Sequence, residues 1–163
     1  MTDAAPEIFV ALEQSSFAAA VRQSLWLYPA ANVGHIVALT FFAGAVAVID
    51  VRLLGGLAAT SPAFLLARAR SFAVAALAGI AVTGCALFSA EASHIALNPA
   101  FQLEAALVAA GLINVAIYEF WAKRTVERLV PGASMPARAK VAGVLSLGIW
   151  VAVAACGRSI AYF

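Results

Sequence analysis

Charge is what this chain of 163 residues has least of: only 11% of its residues are charged, against 64% hydrophobic. A soluble domain carries roughly 25% charged residues, so water is excluded as the main solvent for most of the chain. Cysteine is scarce too. Cys85 and Cys156 lie inside apolar runs without C-x-x-C spacing, which favours two small buried apolar side chains over a disulfide or a thiolate ligand pair. Histidine occurs twice, at His35 and His94. There is no H-x-x-x-H pair and no methionine-rich tract. No phosphate-binding glycine loop, nucleotide fingerprint or nucleophile–base signature is present either, which argues against the common enzyme classes. The net charge of +2 says little by itself, because in a membrane protein the placement of the charges is what matters. Residues 1–24 hold Asp3, Glu7 and Glu13 and lack a basic n-region followed by an apolar core, so no cleavable signal peptide is expected.

What the chain does have is apolar length. A membrane-crossing helix needs roughly 20 apolar residues, and four segments supply it: about Ala30–Ile49, Phe72–Ala90, Phe101–Phe120 and Val141–Cys156. Pro29 opens the first, and Gly55-Gly56 follows its end. Ser61-Pro-Ala-Phe64 and Asn98-Pro-Ala-Phe101 precede the second and third, each a capping residue with proline at the first helical position. Pro131-Gly132 and Pro136 break the chain before the fourth. The fold class expected is all-α: an integral four-helix transmembrane bundle over residues 29–163, with residues 1–28 forming an amphipathic helix at the outer surface. Phe17, Val21, Leu25 and Tyr28 recur at helical spacing in that leader and define one apolar stripe, with Trp26 at headgroup level. The abundant alanine and glycine permit close approach of helices in lipid.

Basic residues set the expected orientation. Arg52, Arg68 and Arg70 lie between spans one and two, and Lys123, Arg124, Arg128, Arg138 and Lys140 between spans three and four. Only Arg22 and Arg158 lie on the opposite side. The positive-inside tendency then places both termini outside, in the periplasm for a protein of a bacterial inner membrane. The basic loops face anionic lipid and require no nucleic acid.

An ionisable group inside the membrane costs roughly 2.5–3.5 kcal/mol on insertion scales and therefore points to a role. His35 lies about two turns into span one from the outer side, and His94 lies just beyond span two on that same side. Neutral imidazole is the common ligand of haem iron and of copper. The leading expectation is therefore a b-type cytochrome-like protein holding one haem b between His35 and His94, with Arg158 at a propionate and Arg22 second. It would pass electrons between a periplasmic redox protein and quinone or a partner subunit. A copper-handling protein that uses the same histidines with Glu91 or Glu104 is the alternative. A cofactor-free accessory subunit, or a homo-oligomer joined through small-residue faces, is another. Glu104 is expected either to orient a ligand histidine or to pair with Arg158, Asn114 to join helices, and Glu119 to pair with Lys123. Asp50 and Arg52 read as an ion pair or loop anchor at the inner mouth of span one, with a proton-access site as the rarer reading.

The stretch His35–Gly55 has the form H-x8-G-x5-D-x-R-L-L-G, built from His35, Gly44, Asp50, Arg52, Leu53, Leu54 and Gly55. With Asn98-Pro-Ala-Phe101 and the run Ala-Gly-Leu-Ile-Asn114, it resembles a family of small uncharacterised bacterial four-span membrane proteins over most of residues 25–120. The first-span histidine and glycine are also similar to the copper resistance D family and to the membrane protoporphyrinogen oxidases that carry haem b. That resemblance implies haem or copper at His35, and it adds an enzyme of the porphyrinogen-oxidising kind as an alternative to a chain that is not an enzyme by itself. Glu104 departs from the narrower family's pattern, which has lysine at that position.

Overall fold

The computed structural model describes residues 5–162 and is all-α. Its elements are α1 (Glu7–Glu13), α2 (Ser16–Gln23), α3 (Leu27–Leu54), α4 (Pro62–Ala90), α5 (Ala92–Leu97), α6 (Pro99–Trp121), α7 (Lys123–Glu127) and α8 (Ala137–Ser159), closed by a 3₁₀ turn at Ile160–Tyr162. Asp3 lies outside the described residues.

Four helices, α3, α4, α6 and α8, are long and apolar enough to cross a membrane, as expected. At 1.5 Å per residue the 28 residues of α3 extend for roughly 42 Å, more than the roughly 30 Å of a hydrocarbon core. Large apolar side chains such as Phe41, Phe72, Val82, Phe120 and Val151 point outward from these helices. Phe120 is 83% exposed. On four helices of this length and hydropathy such a surface is suited to a bilayer, and the chain is a multi-pass membrane protein.

The long helices start and stop for local reasons. Asn98 caps α6, its Oδ1 accepting from the N–H groups of Ala100 (2.9 Å) and Phe101 (3.3 Å). Pro62 and Pro99 occupy first-turn positions of α4 and α6. Gly55 ends α3 with φ +106°, a left-handed conformation that a side chain would strain. The structure also extends the expected spans. α4 begins at Pro62, ten residues earlier than the hydropathy boundary at Phe72, because nothing between Pro62 and Phe72 breaks a helix and the segment rests on α3.

The described part of the leader is not the single surface helix expected over residues 1–28. It divides at Gln14-Ser15, where Ser15 Oγ accepts from Ala18 N–H (3.2 Å) and starts α2. It divides again at Ser24, whose Oγ receives the N–H groups of Trp26 and Leu27 ahead of α3. The apolar stripe is thereby split. Val21 is buried against the bundle beside Ala18, whereas Phe17 and Leu25 face outward, Leu25 being 86% exposed.

Arg22 joins three segments. Its Nη1 donates to the carbonyls of Glu13 (2.8 Å) and of Ala90, the last residue of α4 (2.9 Å). Asn98 Nδ2 donates to Ile160 O at 3.1 Å. These bonds gather the leader, the α4–α6 connection and the C-terminal turn at one end of the bundle, the terminal end. At the opposite, basic end, Gly132 N–H donates to Ala58 O at 2.7 Å and links the two interhelical loops.

Around the bundle, α3 packs closely on α4 and on α8, and α8 packs closely on α6. α4 and α6 scarcely touch. The four spans thus form an arc in the order α4–α3–α8–α6, with a seam between its first and last members. Two contacts pin that seam. Phe88 and Phe101 stack at 5.2 Å near the terminal end, and Arg70 meets Glu119 at 2.8 Å near the basic end.

Candidate functional site

Between these two pins lies a cavity of about 180 Å³ to which all four long helices contribute. Its walls are mostly apolar, with Phe42 and Trp150 meeting edge to face at 4.6 Å. Val74 on α4 and Leu112 and Val115 on α6 line it while remaining exposed on the outside. The cavity therefore opens sideways through the seam, toward lipid.

Its polar groups are few. Asp50 on α3 is 1% exposed, and neither carboxyl oxygen has a hydrogen-bond partner in the protein. The Ser146 hydroxyl on α8 stands beside it. The Tyr118 hydroxyl is likewise buried without a partner. Asn114 Nδ2 donates to Ala142 O at 3.0 Å, a bond across α6 and α8 of the kind expected for this residue. Glu119 binds both Arg70 and Lys123, the latter at 2.6 Å in the expected i,i+4 arrangement.

The room for the Trp150 ring comes from Gly111. A Cβ at that position would stand 2.9 Å from Trp150 Cζ2, too close for any side chain while the indole stays in place. Gly143 similarly lets α8 approach Leu53 and the Asp50 carbonyl. Small residues thus set the width of the cavity where helices cross.

Asp50 and Arg52 do not form the expected ion pair. Arg52 is fully buried, and its guanidinium donates to Gly56 O (3.4 Å) and Thr60 O (3.3 Å), anchoring the α3–α4 loop. Two residues is the wrong offset for two side chains to meet on one helix face, and Asp50 is left to the cavity. Sequence reasoning placed Asp50 at a mouth. The signal available was its spacing from Phe42, Val46 and Ile49, one face of the helix at steps of three and four.

The histidines occupy other places. His35 is half-buried on α3, and its Nδ1 lies 2.9 Å from Thr83 Oγ1 on α4. Thr83 gives its own hydroxyl proton to Gly79 O at 2.6 Å, so its oxygen accepts from His35 Nδ1–H. This fixes the neutral ring as the Nδ1–H tautomer and leaves Nε2 with a bare lone pair. Gly84 makes room for the ring, since a Cβ there would lie 3.2 Å from Cε1. Thr83 lies seven residues, roughly 10 Å, before the end of α4. His94 stands exposed on α5, beyond that end. No hydrogen bond or ion pair joins the two histidines or links either to Arg158 among the described residues. Neither histidine lines the central cavity.

Arg158 turns to Tyr162, with its guanidinium 4.7 Å from the ring centroid, and not to Glu104. Glu104 instead lies against Gly157, the residue before it. Arg22 is engaged by backbone carbonyls. Both cysteines are free thiols, and Cys85 faces outward. No cluster of three or more histidine, cysteine or acidic side chains with metal-binding spacing exists among the described residues. For a haem or copper centre the residues fit one imidazole ligand, His35, with its second nitrogen held by Thr83.

No curated protein and no solved structure matches this chain. A family profile does match it, over residues 15–163, so that the whole bundle and nearly all of the chain are covered: the chain belongs to DUF6644, a family of unknown function.

Proposed function

We propose that this protein binds an amphipathic small molecule taken sideways from the lipid phase. The observation that carries this reading is the cavity itself, which opens between α4 and α6 and ends on a buried, unpartnered carboxyl at Asp50. Pockets that enclose a whole drug-sized ligand run to roughly 300–1,000 Å³. About 180 Å³ suits a head group whose tail stays in lipid. Asp50, Ser146 and Tyr118 supply the polar contacts, and Phe42 and Trp150 the walls. An ionisable group at membrane depth is costly and marks ligand or ion pathways. Neutral quinone belongs to this class of ligand. The basic loops favour a cytoplasmic position for the Arg70–Glu119 end, with both termini periplasmic in an inner membrane.

Trp150 emission provides the test. The exposed Trp26 and Trp121 are replaced by Phe, and the protein in nanodiscs is titrated with dodecyltrimethylammonium, dodecanol and dodecanoate. A saturable change with at least one probe, lost when Ala73→Phe fills the cavity, supports the reading. Emission that responds to none of them, or responds alike with the cavity filled, overturns it.

A second reading rests on His35. Its Nε2 lone pair, with Nδ1 fixed by Thr83, is the arrangement of a metal-ligating imidazole. It keeps the b-type cytochrome in view, with haem b on His35 and electrons passing to a periplasmic redox protein or quinone, and copper as the alternative metal. His94 would then act as a ligand only after α5 moved. Haem supplies one-electron chemistry when bound. His35 would hold it, and Thr83 would keep the ring oriented. A Soret band in protein from haem-replete cells, absent in His35→Ala, supports this reading. Colourless, metal-free protein removes it.

A further inference from the structure

Resting on the cavity reading above, we infer that the head group taken up is an organic cation: an ammonium on an apolar tail, held by Asp50 within an aromatic wall. The charges around the cavity point to it. Each basic side chain near the site is committed elsewhere. Arg52, two residues from Asp50, is spent on the carbonyls of Gly56 and Thr60. Arg70 and Lys123 share Glu119. Asp50 is the one carboxyl lining the cavity that has no cation, since Glu119 has two.

The remaining walls suit the same ligand. Phe42, Tyr118 and Trp150 bring three aromatic rings to the cavity. Ring faces attract ammonium groups, most strongly where water is displaced. A carboxylate in an apolar wall binds a cation with little competition from solvent, whereas the same carboxylate repels an acid and gains less from an alcohol. Selectivity follows from that difference.

The groups facing the cavity from each helix keep the path open to a cation. α4 contributes Arg70 and α6 contributes Glu119 and Tyr118, while α8 contributes no ionisable side chain. Arg70 and Lys123 together exceed Glu119 by one positive charge, but they gather at the basic end. Access runs between Val74 on one side and Leu112 and Val115 on the other, where no charge stands.

The test uses full-length protein in nanodiscs of neutral lipid, with Trp150 as the reporter. Dodecyltrimethylammonium and dodecanol share a tail and differ in head. The cation is expected to saturate at a mole fraction at least tenfold below that of dodecanol, and to displace it. Asp50→Asn, which keeps the shape and removes the charge, is expected to abolish this preference, so that the two probes saturate at similar mole fractions. Equal affinity of the two probes in the unmodified protein overturns the inference without needing a variant. So does a preference that survives in a folded Asp50→Asn protein. Saturable dodecanol binding without cation preference would leave the cavity reading standing, so the two failures are distinguishable.

Discussion

Arg70 and Glu119 meet at 2.8 Å across a seam where the backbones of α4 and α6 hardly touch. The pair is partly exposed, and Lys123 competes for the same carboxylate, so its contribution to stability is no more than about 1 kcal/mol. Its larger effect is on the width of the seam. With Arg70→Gln, spin labels introduced at Val74 and Val115 should report a longer and broader distance distribution. Thermal stability should change little. An unchanged, narrow distribution would mean that the phenylalanine stack at the other end holds the seam alone.

Gly111→Ala introduces a methyl group 2.9 Å from the Trp150 ring. The indole must move or the helices must part. Overpacking of this kind costs about 1–3 kcal/mol. A lower unfolding midpoint, together with a shifted Trp150 emission maximum in protein lacking the other two tryptophans, is the expected result. Gly148, where an added Cβ meets nothing, serves as the control and should accept alanine without either change.

Glu13 ties the leader to α5. Its carboxylate accepts from the Ser93 hydroxyl and from the Ser93 N–H (2.8 Å). The Ser93 side chain first and its backbone second hold the Glu13 carboxyl below the usual carboxylate range, with Arg22 and His94 adding to the effect. A lowered value in the folded state means that the docking is strongest above the ordinary glutamate range near pH 4 and is lost as pH falls through the folded value. Protection of the α1 amides, measured against the intrinsic exchange rate at each pH, should therefore fall on acidification below about pH 4. Glu13→Gln should exchange faster at neutral pH and lose most of that acid dependence.

The His35–Thr83 contact makes a spectroscopic prediction. Nitrogen NMR of the neutral ring should show the Nδ1–H tautomer, with Nε2 unprotonated. Thr83→Val leaves Nδ1–H without its acceptor, at a cost of about 1–3 kcal/mol, and should allow the tautomers to mix. A dominant Nε2–H form in the unmodified protein would contradict the donor–acceptor order drawn from the Thr83–Gly79 bond.

The architecture was legible because bilayer solvent imposes a crude rule: long apolar runs, cut by Gly55, Pro62, Asn98-Pro99 and Pro136, become spans. Pairs four residues apart, such as Glu119–Lys123 across the α6–α7 junction, were legible because they are local. The Asn114 bond across helices was legible as a type of contact, though not its partner. What could not be read was which faces meet. The order α4–α3–α8–α6 decides that Asp50 points at a cavity, that Arg52 turns to its own loop and that Arg158 goes to Tyr162 in place of Glu104. Nothing in a linear pattern distinguishes a closed ring of four helices from an arc. His35 and His94 drew notice as imidazoles able to hold a metal, whereas the cavity is built around an aspartate, as rare in this chain as histidine, that looked like an ordinary loop anchor.

The arc has a consequence for how affinity is reckoned. A molecule that reaches Asp50 between Val74 and Val115 arrives by two-dimensional diffusion from a pool already concentrated by partitioning. Occupancy then tracks the composition of the membrane and its leaflet, and bulk aqueous concentration becomes only an indirect guide. Changing the lipid mixture at fixed total ligand should shift saturation as surely as changing a side chain.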